Sequence, residues 1–152
     1  MARTLLAALA FAAAAHAVAA PPMYDESADA RAQIAAALGD ASHAGVPVLV
    51  VFGANWCGDC RALDTAFKEG ASAPLIAKSF KVVKVNVGRF DRNVDLAASY
   101  GVPLRKGIPA VAVLSQQGKV LYATAGGELA DARAMGDRGI YDFFAKVAAQ
   151  PR

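Results

Sequence analysis

The sequence predicts an α/β domain with a mixed central sheet and helices on both faces. Three observations carry this. Short β-branched runs alternate with segments of helical period, which places strands and helices in turn along the chain. The run Val46 to Phe52 is apolar throughout, as a central strand covered on both faces requires. The last two strand candidates are separated only by a Gly-containing turn and therefore pair as a hairpin.

The elements follow in order. Met1 to Ala19 reads as a leader: Arg3 gives a positive start, Leu5 to Ala15 is an apolar run too short to span a bilayer comfortably, and Ala17-Val18-Ala19 is a small-x-small cleavage pattern. Cleavage is placed after Ala19, with Ala15-His16-Ala17 as a second site and an uncleaved anchor as the other reading. Residues 20–26, with Pro21-Pro22-Met23, read as an extended linker, and 27–152 as the domain. Ser27 is the expected cap of a helix carrying Ala30, Ile34, Ala37, Leu38 and Ala41 at helical spacing, ended by Gly45 and Pro47.

After the central strand, Gly53 to Trp56 form a loop. Cys57 to about Lys68 forms a helix with Cys60, Leu63 and Phe67 on one stripe. Phe80 to Val87 is a second strand, and Asn93 to Tyr100 a helix closed by Gly101. Ala110 to Leu114 and Lys119 to Ala123 form the hairpin around Gln116-Gln117-Gly118. A final helix starts near Asp137 and turns Ile140, Phe143, Phe144 and Val147 inward. The first three strands are expected to enter through crossovers.

Composition limits the function. The net charge is +3, and one unit of it belongs to Arg3 in the leader. There is no basic stripe interleaved with aromatics, so nucleic acid is not a partner on this reading. The chain has two cysteines, and both lie in one C-x-x-C. An exported chain meets an oxidising compartment, the periplasm, where disulfides persist. A disulfide-built scaffold would spread more cysteines along the chain.

A C-x-x-C that follows a buried strand and opens a helix is a device for disulfide exchange. Unpaired N–H groups and the helix dipole favour a thiolate at Cys57. The thiolate is the attacking species, and Cys60, one turn on and facing inward, is placed to resolve the mixed disulfide. Cys57 is therefore expected exposed with a lowered pKa, and Cys60 buried. Other readings of the pair are a structural disulfide, which would constrain only a short loop, and half a zinc site, for which His43 is the one other soft ligand. Haem attachment would need His where Arg61 stands.

Val50-Val51-Phe52-Gly53-Ala54-Asn55-Trp56-Cys57-Gly58-Asp59-Cys60 resembles the strand, loop and active-site motif of the thioredoxin family. Lys84-Val85-Asn86 is similar to a further strand of that family. Gly107-Ile108-Pro109 is similar to its cis-proline loop, and Gly118 and Gly126 to glycines flanking its last strand. The resemblance runs from about Ser27 to Ala149 and implies a thioredoxin-like fold. It implies that Pro109 is cis and packs on the cysteine pair. Trp56, Gly58, Asp59, Ile108 and Gly126 would then border a groove for substrate beside Cys57.

The departures are specific. Val51 stands where the family carries a buried Asp that manages the resolving thiol's proton, so that proton goes to water or to Asp59. Asp59 replaces a proline, and Thr65 stands near the family's helix proline. Gly101 to Lys106 is an insertion that brings Arg105 and Lys106 near the cis-proline loop, either as solvated charges or as a basic rim. Glu128 to Met135 is a second insertion with no assigned role.

The expected function is a periplasmic thiol–disulfide oxidoreductase, reducing rather than oxidising, because the Asp59 carboxylate opposes ionisation beside it. It needs no cofactor and no metal. Its substrates are protein or small-molecule disulfides, its recharging partner is a membrane electron donor, and it works as a monomer. An oxidant or isomerase is the alternative within the class. A copper-binding or redox-sensing module is the alternative outside it, although no His follows the motif.

Overall fold

The computed structural model describes residues 21–150. The predicted leader, residues 1–19, lies outside them. The elements are α1 (Ala30–Ala44), β1 (Val48–Gly53), α2 (Gly58–Lys68), α3 (Ser72–Ser79), β2 (Lys81–Asn86), α4 (Val94–Ser99), a 3-10 turn (Leu104–Lys106), β3 (Ala110–Leu114), β4 (Val120–Ala123) and α5 (Ala132–Ala148).

The sheet has the order β2-β1-β3-β4. β1 is the centre, and its residues Val48 to Phe52 are at most 2% exposed. Burying each such side chain contributes about 1.5–3 kcal/mol. Alternation along β1 feeds two cores. Val48, Val50 and Phe52 meet Ile34 and Ala41 of α1 and Leu96 and Ala97 of α4. Leu49 and Val51 meet Leu63 of α2, Ile76 of α3 and Ile140 and Phe144 of α5. Helices on both faces follow directly.

β1 pairs with β2 in parallel, as a crossover requires. β3 lies antiparallel to β1, so the expectation that three strands enter by crossovers is corrected for the third. The chain reverses between α4 and β3 over Gly101 to Pro109, where Val102 and Leu104 are buried and anchor the inserted turn. The β3–β4 hairpin forms as expected.

Three local readings also change. The cap of α1 is Asp29, whose side chain accepts from the N–H groups of Arg31 and Ala32 at 3.0 and 3.1 Å. Ser27 instead donates its hydroxyl to Asp25 at 2.7 Å. The sequence between Lys68 and Phe80 holds α3, in which Pro74 sits within the first turn, where its missing N–H costs nothing. α5 begins five residues before Asp137 and changes direction at Gly136, where φ is 64°.

The segment expected as a linker is docked at one point. Tyr24 is 1% exposed and belongs to the first core. Its backbone N–H donates to Asn55 Oδ1 at 2.9 Å, and Asn55 Nδ2 donates to its carbonyl at 2.9 Å. Residues 21–27 thus form a strap tied to the loop ahead of the cysteines.

Candidate functional site

β1 ends at Gly53, and the loop Ala54 to Trp56 delivers Cys57 to the start of α2. Cys57 is the N-cap, with extended backbone (φ −78°, ψ 115°), and its Sγ accepts from the Cys60 N–H at 3.1 Å. The two cysteines form a disulfide with Cα atoms 5.2 Å apart. The helix therefore offers the free N–H of its third residue to the sulfur that precedes it, which favours a negative sulfur at that place.

Cys60 is buried, as its inward position on α2 predicts. Cys57 is also buried, at 4% exposure, which corrects the expectation of an exposed first cysteine. The disulfide draws its sulfur toward Cys60, and Ile108 closes over it: the Ile108 carbonyl oxygen stands 3.7 Å from Cys57 Sγ. That oxygen is an acceptor for the thiol once the pair is reduced. The Ile108–Pro109 bond is cis, and both residues are buried. The motif and the 108–109 loop, 51 residues apart, thus converge on one sulfur.

Trp56 is 48% exposed beside the pair. Its Nε1 donates to the Gly88 carbonyl at 2.8 Å, and its ring meets Phe90 edge-on at 5.9 Å. Phe90 is itself 44% exposed, so the two rings form an apolar rim on one side of Cys57. Gly126 lies in an exposed turn, where its N–H donates to Glu128 at 3.1 Å. This turn touches the 3-10 turn: a Cβ on Gly127 would stand 2.5 Å from the Lys106 carbonyl oxygen, and one on Gly107 2.6 Å from the Ala130 Cβ. The second insertion therefore buttresses the loop that carries Ile108. Arg105 and Lys106 are exposed on that 3-10 turn.

The same insertion reaches Asp59. The Arg133 N–H donates to Asp59 Oδ1 at 3.0 Å, and its guanidinium donates to both carboxylate oxygens at 3.2 Å. Burial alone would raise the Asp59 carboxyl; the hydrogen bonds and charge of Arg133 override it and hold the group below the usual carboxylate range. Asp59 is thus no free carboxylate beside Cys57, and a group so held is a poor acceptor for a thiol proton. Arg133 thus compensates the charge that Asp59 sets beside Cys57. Between α2 and α5, Arg133 also borders a groove of about 570 Å³, lined with it by Gly58, Arg61, Thr65 and Asp137 among others.

Behind Cys60 lies a second charged group that sequence reasoning missed. Asp64, one turn after Cys60 on α2, pairs with Lys84 of β2 and with Lys68 at 2.7 Å. Its burial would raise its pKa, and the two lysines lower it. The spacing from Cys60 to Asp64 was the available signal, since it places both on one helix face. His43 sits in the last turn of α1, and among the described residues no group of three His, Cys, Asp or Glu side chains is placed to hold a metal.

Residues 29–115 match the family model described as thioredoxin-like. A solved structure described as a disulphide isomerase from Xylella fastidiosa Temecula1 is 55% identical, with a TM-score of 0.80 over 85% of this chain and 98% of that one. Thioredoxin 1 of Synechococcus elongatus is 34% identical over 93 residues, which are 57% of this chain and 79% of that protein. A thioredoxin of Pyropia yezoensis is 44% identical over 57 residues; this match covers 38% of the chain and 49%, about half, of that protein.

Proposed function

The chain belongs to the thioredoxin-like family and is a thiol–disulfide oxidoreductase with Cys57 and Cys60 as its C-x-x-C pair, and from that premise we propose that it is exported to the periplasm and there reduces disulfides. One observation carries the reading: Cys57 Sγ lies at the N-terminus of α2 with one backbone N–H donor and, 3.7 Å away, the Ile108 carbonyl.

Cys57 is the nucleophile. Its thiolate attacks one sulfur of a substrate disulfide, forms the mixed disulfide and releases the other substrate sulfur as a thiolate. Cys60 then attacks Cys57 Sγ and releases the second. The substrate gains two electrons and the Cys57–Cys60 pair loses them. A membrane electron donor restores the dithiol. Trp56, Gly58, Asp59, Ile108, Pro109 and Gly126 border the substrate, which is a protein or small-molecule disulfide, and the protein acts as a monomer.

The reducing direction is supported by the balance at Cys57. A strongly oxidising couple owes its potential to a highly stabilised thiolate. Here one N–H favours the thiolate, the Ile108 carbonyl favours the protonated thiol, and Arg133 is engaged by Asp59. Export is supported by Arg3, the apolar run and Ala17-Val18-Ala19. N-terminal sequencing of protein from the periplasmic fraction should begin at Ala20; full-length protein in the cytoplasm overturns the localisation.

Direction is decided by the reduction potential against glutathione or dithiothreitol. A value near the roughly −270 mV of thioredoxin supports the reductant, and one near the roughly −120 mV of a strong oxidant overturns it. The Xylella relative favours a second reading, disulfide isomerisation, which starts from the same dithiol. Recovery of scrambled ribonuclease without net reduction would favour that reading.

The roles within the pair are tested on non-reducing gels. Cys60→Ser should trap a mixed disulfide with an oxidised protein substrate, and Cys57→Ser should trap none. The opposite pattern reverses the roles.

A further inference from the structure

The groove between α2 and α5 takes no part in the exchange step. Gly58, Arg61, Ala62, Thr65, Ala66 and Glu69 line it from one side, three and four positions apart, so they form one continuous face of α2 and its C-cap. Ala132 and Ile140 line it from α5, and with Ala66 they give it a buried apolar floor. Gly58 follows Cys57 directly, and Glu69 closes the helix. The groove thus begins beside the reactive cysteine and runs about 16 Å, at 1.5 Å per residue of helix. An extended chain, at about 3.3 Å per residue, covers that length with about five residues.

The two ends differ in charge. Arg61 and Arg133 stand at the Gly58 end. Arg133 uses Nε and Nη2 on Asp59, and its Nη1 lies 3.3 Å from where a Gly58 Cβ would stand. A side chain at Gly58 would press on that guanidinium, so the glycine leaves the way from Cys57 into the groove clear. Asp59 cancels the charge of Arg133. Arg61 is exposed and has no carboxylate partner among the described residues; its one hydrogen bond is a long one, from Nη2 to the Asn55 carbonyl at 3.5 Å. The Gly58 end therefore carries a net positive charge. At the other end stand two acids. Glu69 is exposed and has no cationic partner among the described residues, and Asp137 accepts from the Ala71 N–H at 3.0 and 3.1 Å.

We propose that this groove seats one arm of a polypeptide substrate: an extended segment with an acidic residue beside the disulfide cysteine, small apolar residues along the floor, and a basic residue about five positions away. The acidic residue meets Arg61 and the Arg133 Nη1 that Asp59 leaves unused. The basic residue meets Glu69 and Asp137. An arm with the opposite charge order would set like charges together at both ends, so the groove selects by repulsion as well as attraction. A small-molecule disulfide would reach only the arginine end. The proposal rests on Cys57 being the nucleophile of disulfide exchange.

The test uses the purified, reduced protein and synthetic peptides whose single cysteine is held as a mixed disulfide with 2-mercaptoethanol. The peptides differ only in the residues on either side of the cysteine, which are Glu, Gln or Lys. Reduction is followed by chromatography. Each rate is divided by that of the same protein with bis(2-hydroxyethyl) disulfide, which is uncharged and reports Cys57 alone. The Glu-to-Lys rate ratio should fall about twofold to fivefold in Arg61→Gln, as for the loss of one exposed ion pair, and further in Arg61→Glu. It should hold in Lys119→Glu, which makes the same charge change in the exposed hairpin turn. An unchanged ratio in both Arg61 variants overturns the proposal. An equal fall in Lys119→Glu also overturns it, since the preference would then belong to overall charge. Glu peptides that carry Lys about five positions from the cysteine should react faster than those with Ala there, and Glu69→Lys should remove the difference. No such difference in the wild type overturns the extended arm. A wild type that reduces neither the peptides nor bis(2-hydroxyethyl) disulfide overturns exchange by Cys57 instead.

Discussion

The Asp59 carboxylate and Arg133 are joined by three hydrogen bonds across 74 positions of sequence, one from the Arg133 backbone and two from its guanidinium. Asp59 is the residue between the cysteines that would otherwise set an uncompensated negative charge beside Cys57. The Arg133 side chain comes from the insertion ahead of Gly136, so a segment outside the sheet adjusts the charge at the motif.

Arg133→Ala should therefore raise the Cys57 pKa, because the Asp59 charge beside the thiolate is then left uncompensated. The couple should become more reducing. Iodoacetamide reaction rates against pH report the first change, and equilibration with a redox buffer reports the second. An unchanged pKa would mean that Asp59 and Cys57 do not sense each other.

Asp64→Asn should cost on the order of 1 kcal/mol near pH 7, the upper end for a pair that still meets solvent. The folded-state pKa of Asp64 is depressed by its lysines once their effect exceeds that of burial. A depressed carboxyl contributes stability that is present above its unfolded value, about 3.9, and lost as pH falls through the folded value. The gap in denaturation midpoint between wild type and Asp64→Asn should accordingly be full at pH 6 to 7 and close below about pH 4. A gap that grows on acidification contradicts the assignment.

Gly53→Ala should destabilise by about 1–3 kcal/mol, since its new methyl meets the Tyr24 phenol and the Cys60 sulfur in a buried place. The penalty should shrink when Tyr24→Ala is combined with it, because the two changes share one space. Urea denaturation of the single and double variants measures this, and strict additivity would show that the phenol and Gly53 do not compete.

Trp56 is the one tryptophan of the chain and adjoins Cys57. A disulfide accepts an electron from a nearby excited indole, so its reduction should raise the fluorescence intensity. Phe90→Ala should shift the emission to the red by removing the ring that packs against Trp56. Intensity that follows dithiothreitol equally in a variant lacking both cysteines would assign the change elsewhere.

What is legible in the sequence is local or periodic. β1 is visible as an unbroken apolar run, α2 through its stripe, and the approach of Ile108 to the cysteines through a motif resemblance. Arg133, Tyr24 and Asp64 carry no such signal. Arg133 meets Asp59 through an insertion without a periodic pattern, and Tyr24 follows two prolines that read as linker. Asp64 is one acid among several polar residues on α2 until β2 brings Lys84 alongside. α3 hides because Pro74 looks like a breaker until its place in the first turn is known. Gly53 is the missed clue: a glycine closing a buried strand leaves room that some other side chain must fill.

The sheet order has a consequence for aggregation. An unfolded chain presents strands with open backbone donors, which can add to any long, flat sheet edge. Here one edge is β2, which carries Lys81 and Lys84. The other is β4, four residues long and irregularly paired where the register slips between Val113 and Leu114. Short, bent and lysine-bearing edges are poor templates, so contact with an unfolded chain does not grow into a shared sheet.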